Sequence, residues 1–107
     1  MSYQKLVRDK IPEIIANNGE QPITRVLNDE EYILELKRKL KEEAEEVILA
    51  NKEERLEELA DLLEVMIAIA NIDGRELSDI INVCNKKREE RGGFSRKLFL
   101  EGVRDDK

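Results

Sequence analysis

The sequence predicts an all-α protein, and two observations lead to that class. Only 4% of the 107 residues are aromatic although 40% are hydrophobic, so the core must consist mainly of aliphatic side chains, as in packed helices. Apolar residues recur every three or four positions over long stretches, which is the period of an amphipathic helix. We expect an antiparallel bundle of three long helices plus a short N-terminal helix, in a single domain over residues 1–107.

The first element is a short helix within KIPEIIANN. Asp9 can cap this helix, and Pro12 stands in its first turn, where the missing N–H has no cost. Asn18-Gly19 ends the helix. The following stretch, EQPITRVL, is expected to be extended or loop, because Pro22 disfavours helix in the residue before it.

The first long helix is expected from about Asp29 to Ala50. Asn28 is a good N-cap, and Glu31, three residues later, completes a capping-box pattern. A short polar joint at Asn51-Lys52 separates this helix from the next one.

The second long helix is expected from about Glu53 to Ile72 and is closed by Asp73-Gly74. It is apolar on several sides, which predicts packing partners on more than one face. The third long helix, from about Arg75 to Arg91, is stopped by Gly92-Gly93. The apolar residues expected to anchor the tail are Phe94, Leu98, Phe99 and Leu100.

Charge and cysteine content exclude several classes of protein. The 19 basic and 25 acidic residues leave a net charge of −6, which argues against binding to a nucleic acid polymer or an anionic membrane. Cys84 is the only cysteine, so no internal disulfide forms, and no apolar run approaches the roughly 20 residues of a membrane span. The start MSYQKLVRDK lacks the apolar stretch of a secretory signal, so we expect a cytoplasmic protein.

The first long helix carries glutamates inside its own apolar stripe. That stripe consists of Tyr32, Leu36, Leu40 and Val47. At about 100° per residue, Glu43 lies only about 20° from Leu36. Glu46 lies one turn later at the border of the stripe, Glu42 lies a little further round, and Glu45 points to the opposite side. Glu43 and Glu46 are therefore expected to face inward.

The second long helix carries a matching acidic pair, Glu58 and Asp61, at the head of a face that becomes buried one turn later. Two helices joined by a short turn run antiparallel, so this pair can lie opposite Glu43 and Glu46. Four converging carboxylates repel one another, which raises their pKa values unless a cation neutralises them. Oxygen ligands without any histidine suit Mg²⁺ or Mn²⁺. The alternative for such residues is a solvated helix face, the default for the other glutamates.

Basic residues occur at both ends of the chain. The core-facing stripe of the third long helix continues into Lys87, Arg88 and Arg91, where cations could bind a polyphosphate. The alternative is that they extend toward solvent and balance the helix dipole. Arg8 and Lys10 could close over a ligand, but pairing with the acidic surface is the default.

The acidic motif also resembles that of a known superfamily. Glu42-Glu43-x-x-Glu46 followed by Glu58-x-x-Asp61 resembles the EExxE…ExxD signature of the MazG-like, all-α nucleoside triphosphate pyrophosphohydrolases, which also include phosphoribosyl-ATP pyrophosphohydrolases and dimeric dUTPases. The opening KLVRDKIPEII and the late KKREERGGF resemble small stand-alone members, so the resemblance covers most of the chain.

The resemblance implies Mg²⁺-dependent cleavage between the α- and β-phosphates of a nucleoside triphosphate, giving monophosphate and pyrophosphate, in a homodimer or homotetramer that removes non-standard or surplus nucleotides. The implied metal ligands are Glu43, Glu46, Glu58 and Asp61, with Glu42 an extra ligand or a water-orienting base. The groups implied at the phosphates and sugar are Lys87, Arg88, Arg91, Asn82 and Asn85.

Two other functions are open from the sequence. One is phosphoribosyl-ATP hydrolysis in histidine biosynthesis, on the same fold. The other is a non-catalytic helical binding module whose acidic cluster merely binds cations or a basic partner. A panel of substrates separates the first from general triphosphate hydrolysis, and a Glu43→Gln variant separates the second.

Overall fold

The computed structural model describes residues 4–105 and contains four helices and no strand in that range. The helices are α1 (Ile11–Asn17), α2 (Asp29–Leu49), α3 (Arg55–Ile72) and α4 (Leu77–Arg91). The all-α class is therefore confirmed. No helix in the described range is both long and apolar enough to cross a membrane.

The described chain divides into two compact units between Arg75 and Glu76. The first unit contains α1, α2 and α3, and the second contains α4 and the segment that follows it. The single domain over residues 1–107 and the three-helix bundle remain predictions.

The start of α2 shows the predicted capping box. The Asn28 side-chain oxygen accepts a hydrogen bond from the Glu31 backbone N–H at 2.8 Å, and the Glu31 carboxylate accepts one from the Asn28 N–H at 3.4 Å. Arg25 adds two hydrogen bonds to the same carboxylate, at 2.8 and 3.2 Å. These contacts satisfy two of the free N–H groups at the beginning of the helix.

Replacing Asn28 with Ala should therefore lower the free energy of unfolding by about 1 kcal/mol, because the Glu31 N–H loses its partner. Urea unfolding of the variant measures this cost. The control is Asn17→Ala, which changes an exposed Asn in the last turn of α1, where it caps no helix start. Equal midpoints for the two variants would show that the cap contributes nothing of its own.

The start of α1 differs from the prediction, since Asp9 does not cap it. Lys10 occupies the N-cap position in a helical conformation and makes no side-chain cap. The Ile11 N–H instead donates to the Arg8 carbonyl oxygen at 3.0 Å, so a backbone turn precedes the helix. A side-chain cap needs an extended residue at that point, which this turn removes. Pro12 and the stop at Asn18 lie where the sequence placed them.

Helices α2 and α3 pack against each other as an antiparallel hairpin, joined by residues 50–54. The Asn51 side chain accepts a hydrogen bond from the Glu54 N–H at 3.0 Å and closes that joint. Leu36 of α2 and Val65 of α3 are the two buried hydrophobic residues in the described range. The hairpin therefore has a small hydrophobic core. The sequence predicts packing partners on more than one face of α3, but among the described helices of this unit α3 packs against α2 alone.

The second unit holds α4, which begins where the Glu76 N–H donates to the Asp79 carboxylate at 2.8 Å. The helix ends at Gly92, whose φ of 82° is readily reached by glycine, as the sequence predicts. The tail residues predicted to be anchors are exposed: Phe94, Leu98, Phe99 and Leu100. The described segment after Gly92 forms only a turn, from Phe94 to Lys97, and these four side chains stay exposed along it.

Candidate metal centre

Three carboxylates meet on the α2–α3 hairpin. Glu43 lies about two turns before the end of α2, and Glu58 and Asp61 lie in the first two turns of α3. The antiparallel hairpin places these positions at the same level, and one carboxylate oxygen from each residue lies within 4.8 Å of the other two. All three residues are half-buried. We call Glu43, Glu58 and Asp61 the acidic cluster.

The electrostatic cost of this arrangement falls on Glu58. Partial burial is the largest cause that raises the pKa of its carboxyl group, followed by repulsion from Glu46, Asp61 and Glu43. Glu46 therefore acts on the cluster electrostatically, although its own side chain is exposed. The upward shift expected from converging carboxylates is present at Glu58.

Two cations already lie beside the cluster. The Arg8 guanidinium Nη2 is 2.7 Å from the Asp61 Oδ1, across 53 positions of sequence, and the Lys39 Nζ is 3.9 Å from the Glu43 Oε1. The default predicted for Arg8, pairing with the acidic surface, is confirmed. Lys10 has no ion pair within residues 4–105. Sequence reasoning missed Lys39, although its position four residues before Glu43 was a signal for a helical ion pair.

The donor set fits a hard divalent cation. Mg²⁺ binds oxygen at about 2.0–2.1 Å, so two ligands on opposite sides are about 4 Å apart, and Ca²⁺ allows somewhat more. The separation in the acidic cluster, within 4.8 Å, needs only small side-chain adjustments to match. Carboxylates are also the ligands that Mg²⁺ and Mn²⁺ prefer. A divalent charge would offset both causes that raise the pKa of Glu58, its partial burial first and the repulsion from neighbouring carboxylates second.

The remaining predicted site residues lie outside this group of three. Glu42 and Glu46 are exposed on α2, so the expectation that Glu46 faces inward is wrong, because its position at the border of the apolar stripe leaves it in solvent. The residues predicted to contact phosphate and sugar lie on α4 in the second unit and are all exposed: Asn82, Asn85, Lys87, Arg88 and Arg91. In the described part of the chain, no carboxylate lies within ion-pair distance of the three basic ones. Cys84, on the same helix, is also exposed.

The chemistry available at the acidic cluster is the binding of a cation that still has room for further ligands. Three protein oxygens leave about half of a six-ligand shell open, and phosphate oxygens commonly fill such positions. One side of the cluster is open to solvent, since its residues are only half-buried. The arrangement can therefore bring a metal and a phosphorylated ligand together.

Comparison with known proteins bears directly on this chemistry. Residues 5–88 match the family model described as phosphoribosyl-ATP pyrophosphohydrolase, a range that contains both acidic helices. An uncharacterized protein of Mycolicibacterium smegmatis is 47% identical over 47 residues, which are 44% of this chain and 48% of that protein. The alignment thus spans about half the length of this curated relative. No solved structure matches the chain. Because the family model covers more than half of the residues, the chain belongs to the phosphoribosyl-ATP pyrophosphohydrolase family.

Proposed function

We propose that this protein hydrolyses a nucleoside triphosphate between the α- and β-phosphates, releasing a nucleoside monophosphate and pyrophosphate with the help of Mg²⁺. The observation that carries the proposal is the acidic cluster, with three carboxylate oxygens from two helices within 4.8 Å of one another. The family membership supports a pyrophosphohydrolase reaction on a nucleotide. Mn²⁺ has the same ligand preference and is expected to replace Mg²⁺.

In this proposal the acidic residues hold the metal and organise the water. Glu43, Glu58 and Asp61 bind the cation directly, and Glu46 turns inward to complete the set. Glu42 serves as an extra ligand or orients the attacking water as a general base. When bound, Mg²⁺ would offset the carboxylate charge and stabilise the negative charge that develops on the phosphate oxygens.

The basic residues of α4 are proposed to bind the substrate. Lys87, Arg88 and Arg91 bind the phosphates, for which guanidinium and ammonium groups are suited, and Asn82 or Asn85 contacts sugar or phosphate. Lys87, Arg88 and Arg91 are exposed and form no ion pair with any carboxylate of residues 4–105, so these cations are available to an anion.

Phosphoribosyl-ATP is the second candidate substrate, and the description of the matching family favours it. Its triphosphate is cleaved at the same bond, so the acidic cluster serves both substrates equally. The two candidates differ in what surrounds the triphosphate. A phosphoribosyl-ATP enzyme should neglect ordinary triphosphates, whereas an enzyme that removes surplus nucleotides should accept several of them.

A phosphorus NMR time course with Mg²⁺ tests the reaction. Each nucleoside triphosphate of a panel, and phosphoribosyl-ATP, is incubated with the protein. We expect signals of pyrophosphate and a monophosphate from at least one substrate. Inorganic phosphate with a diphosphate would show that a different bond is cleaved, and no product from any substrate would favour the binding-module alternative.

We also propose that the protein is a homodimer or homotetramer, formed through an apolar seam on α3. The seam consists of Leu56, Leu59, Leu63 and Met66, whose 3-4-3 spacing matches a helix-packing repeat. These side chains are 78%, 44%, 38% and 36% exposed, in a chain whose described residues include only two buried hydrophobics. A second copy of the chain would remove this apolar surface from water.

Replacing Leu63 with Glu should therefore dissociate the oligomer, because a charge in the seam would have to be buried without a partner. Light scattering after size exclusion should change from two or four times the 12.5 kDa chain mass to the single chain mass. Leu34→Glu is the matched control, since Leu34 is an exposed apolar residue of α2 outside the seam. A wild-type protein that already runs at the single chain mass would contradict this proposal.

A further inference from the structure

The segment before α1 places a guanidinium directly on the acidic cluster. The Arg8 Nη2 is 2.7 Å from the Asp61 Oδ1, and no other ion pair within residues 4–105 joins side chains so far apart in sequence. The Arg8 carbonyl oxygen accepts the Ile11 N–H at 3.0 Å, which ties the Arg8 backbone to the start of α1. The first turn before α1 thus positions a cation beside a proposed metal ligand.

We infer that Arg8 is a phosphate-binding residue of the acidic cluster. In the metal-free protein its guanidinium neutralises Asp61. Once a divalent cation occupies the cluster, the guanidinium moves from Asp61 to an oxygen of the substrate's pyrophosphate moiety. This inference rests on the proposed function, and it adds to it a cation from the first unit, which contains the acidic cluster itself.

The charge balance at Asp61 supports this exchange. A metal held by Asp61 would add positive charge within a few ångströms of the guanidinium, and this repulsion would weaken the ion pair between Arg8 and Asp61. A phosphate bound to the metal would carry the negative charge that Arg8 then needs. In this proposal a phosphate oxygen of the substrate therefore replaces Asp61 as the ion-pair partner of Arg8.

The geometry of Arg8 allows the movement. Its side chain is 57% exposed and that of Asp61 is 45% exposed, so neither is enclosed by other groups. Only Nη2 is hydrogen-bonded to Asp61, and a guanidinium has five N–H donors in a planar fork that suits phosphate oxygens. The backbone can stay fixed at α1 while the flexible side chain turns.

Arg25 offers a matched comparison within the same unit. It is 69% exposed and pairs with Glu31 at 2.8 Å, so its exposure and distance are similar to those of Arg8. However, it bonds through both terminal nitrogens to a residue that caps α2, a structural role. A variant of Arg25 loses a surface ion pair of the same kind without touching the acidic cluster.

The test is isothermal titration with two probes, Mn²⁺ alone and magnesium pyrophosphate, on the wild type, Arg8→Gln and Arg25→Gln. Pyrophosphate is the product expected from either candidate substrate. We expect Arg8→Gln to weaken pyrophosphate binding about tenfold or more, the size of a lost charge-assisted hydrogen bond. We expect the same variant to bind Mn²⁺ at least as tightly as the wild type, because Asp61 has lost its competing cation. Arg25→Gln should change neither affinity.

A merely structural ion pair predicts a different pattern. In that case Arg8→Gln lowers thermal stability and weakens both probes together, or leaves pyrophosphate affinity unchanged, and either result overturns the inference. If Arg8→Gln does not fold, Arg8→Lys replaces it, since Lys keeps the charge without the planar fork and should show the same selective loss to a smaller extent.

The same titration separates this inference from the proposed function. Arg8-dependent pyrophosphate binding in a protein that cleaves no substrate would support the role of Arg8 and contradict the proposed reaction. Cleavage of a substrate by a protein in which Arg8→Gln leaves pyrophosphate affinity unchanged would support the proposed reaction and contradict the role of Arg8. A wild type that does not bind magnesium pyrophosphate would contradict the role of Arg8, while the phosphorus NMR time course decides the proposed reaction by itself.

Discussion

Replacing Glu43 with Gln should lower the rate of pyrophosphate release at least about 100-fold, because losing a direct metal ligand should cost no less than losing one of its supporting partners. The change keeps the size and shape of the side chain but removes its negative charge. Glu43 is the one member of the acidic cluster on α2, so the variant leaves the cluster with ligands from α3 alone. The measurement is the initial rate at saturating Mg²⁺ and substrate.

Stability should change in the opposite direction in the same variant. Removing one of several converging carboxylates relieves repulsion in the metal-free protein, so its melting temperature should stay equal or rise. Glu45→Gln is the matched control, because Glu45 is an exposed glutamate of the same helix. Equal rates for the two variants would exclude Glu43 from the site, and a falling melting temperature would attribute lost activity to lost structure.

The second large effect concerns pH and Glu58. Partial burial and the charges of Glu46, Asp61 and Glu43 raise the pKa of Glu58 in the folded protein. A raised carboxyl pKa means that the folded state prefers the protonated form. The corresponding stability is fully present below the unfolded pKa and is lost as the pH rises through the raised folded pKa. Metal-free protein should therefore lose this contribution on going to neutral pH.

Bound Mg²⁺ should reverse this trend, since ionised carboxylates bind the cation and protonated ones do not. The stabilisation by Mg²⁺ should grow as the pH rises, and a concentration of 100 times its dissociation constant adds about 2.7 kcal/mol. Thermal unfolding between acid and neutral pH, with Mg²⁺ or with a chelator, measures both trends.

The comparison that isolates Glu58 is the difference between the wild type and Glu58→Gln at each pH. Other carboxylates act in the opposite sense: the hydrogen bond from Arg25 lowers the pKa of Glu31, so that contribution is lost at acid pH. Taking the difference cancels such groups, and Glu57→Gln, an exposed neighbour on α3, is the control. A wild-type minus Glu58→Gln difference that is independent of pH, with and without Mg²⁺, would contradict the account.

The helices were predictable because local signals agree with the packing. The Asn28 cap and the glycine stops fix the ends of α2, α3 and α4 to within about two residues, and helical phase alone placed Glu43 on the inner side of α2. The helical phase of the side chains does not show whether an Asp9 cap or a backbone turn precedes α1. The turn is formed by a hydrogen bond to the Arg8 carbonyl oxygen, which side-chain patterns do not indicate.

Contacts across long sequence distances were not predictable in the same way. The sequence indicates that Arg8 forms an ion pair with one of many acidic residues. That this residue is Asp61 depends on how the chain before α1 approaches α3. Phe94 and Leu98 were expected to be buried because they are hydrophobic, but both are exposed. Hydrophobicity favours burial of a side chain and does not show which residues would pack against it. These side chains lie after Gly92, where the described chain forms no further helix or strand.

The most direct test of the central claim is paramagnetic broadening of amide signals by a small amount of Mn²⁺. The chain has 25 acidic residues, so weak binding over the whole surface is the alternative to one site. We expect the signals lost first to surround Glu43, Glu58 and Asp61, and Mg²⁺ to restore them. Broadening spread evenly over the acidic residues of all helices, or centred away from the α2–α3 hairpin, would contradict the account.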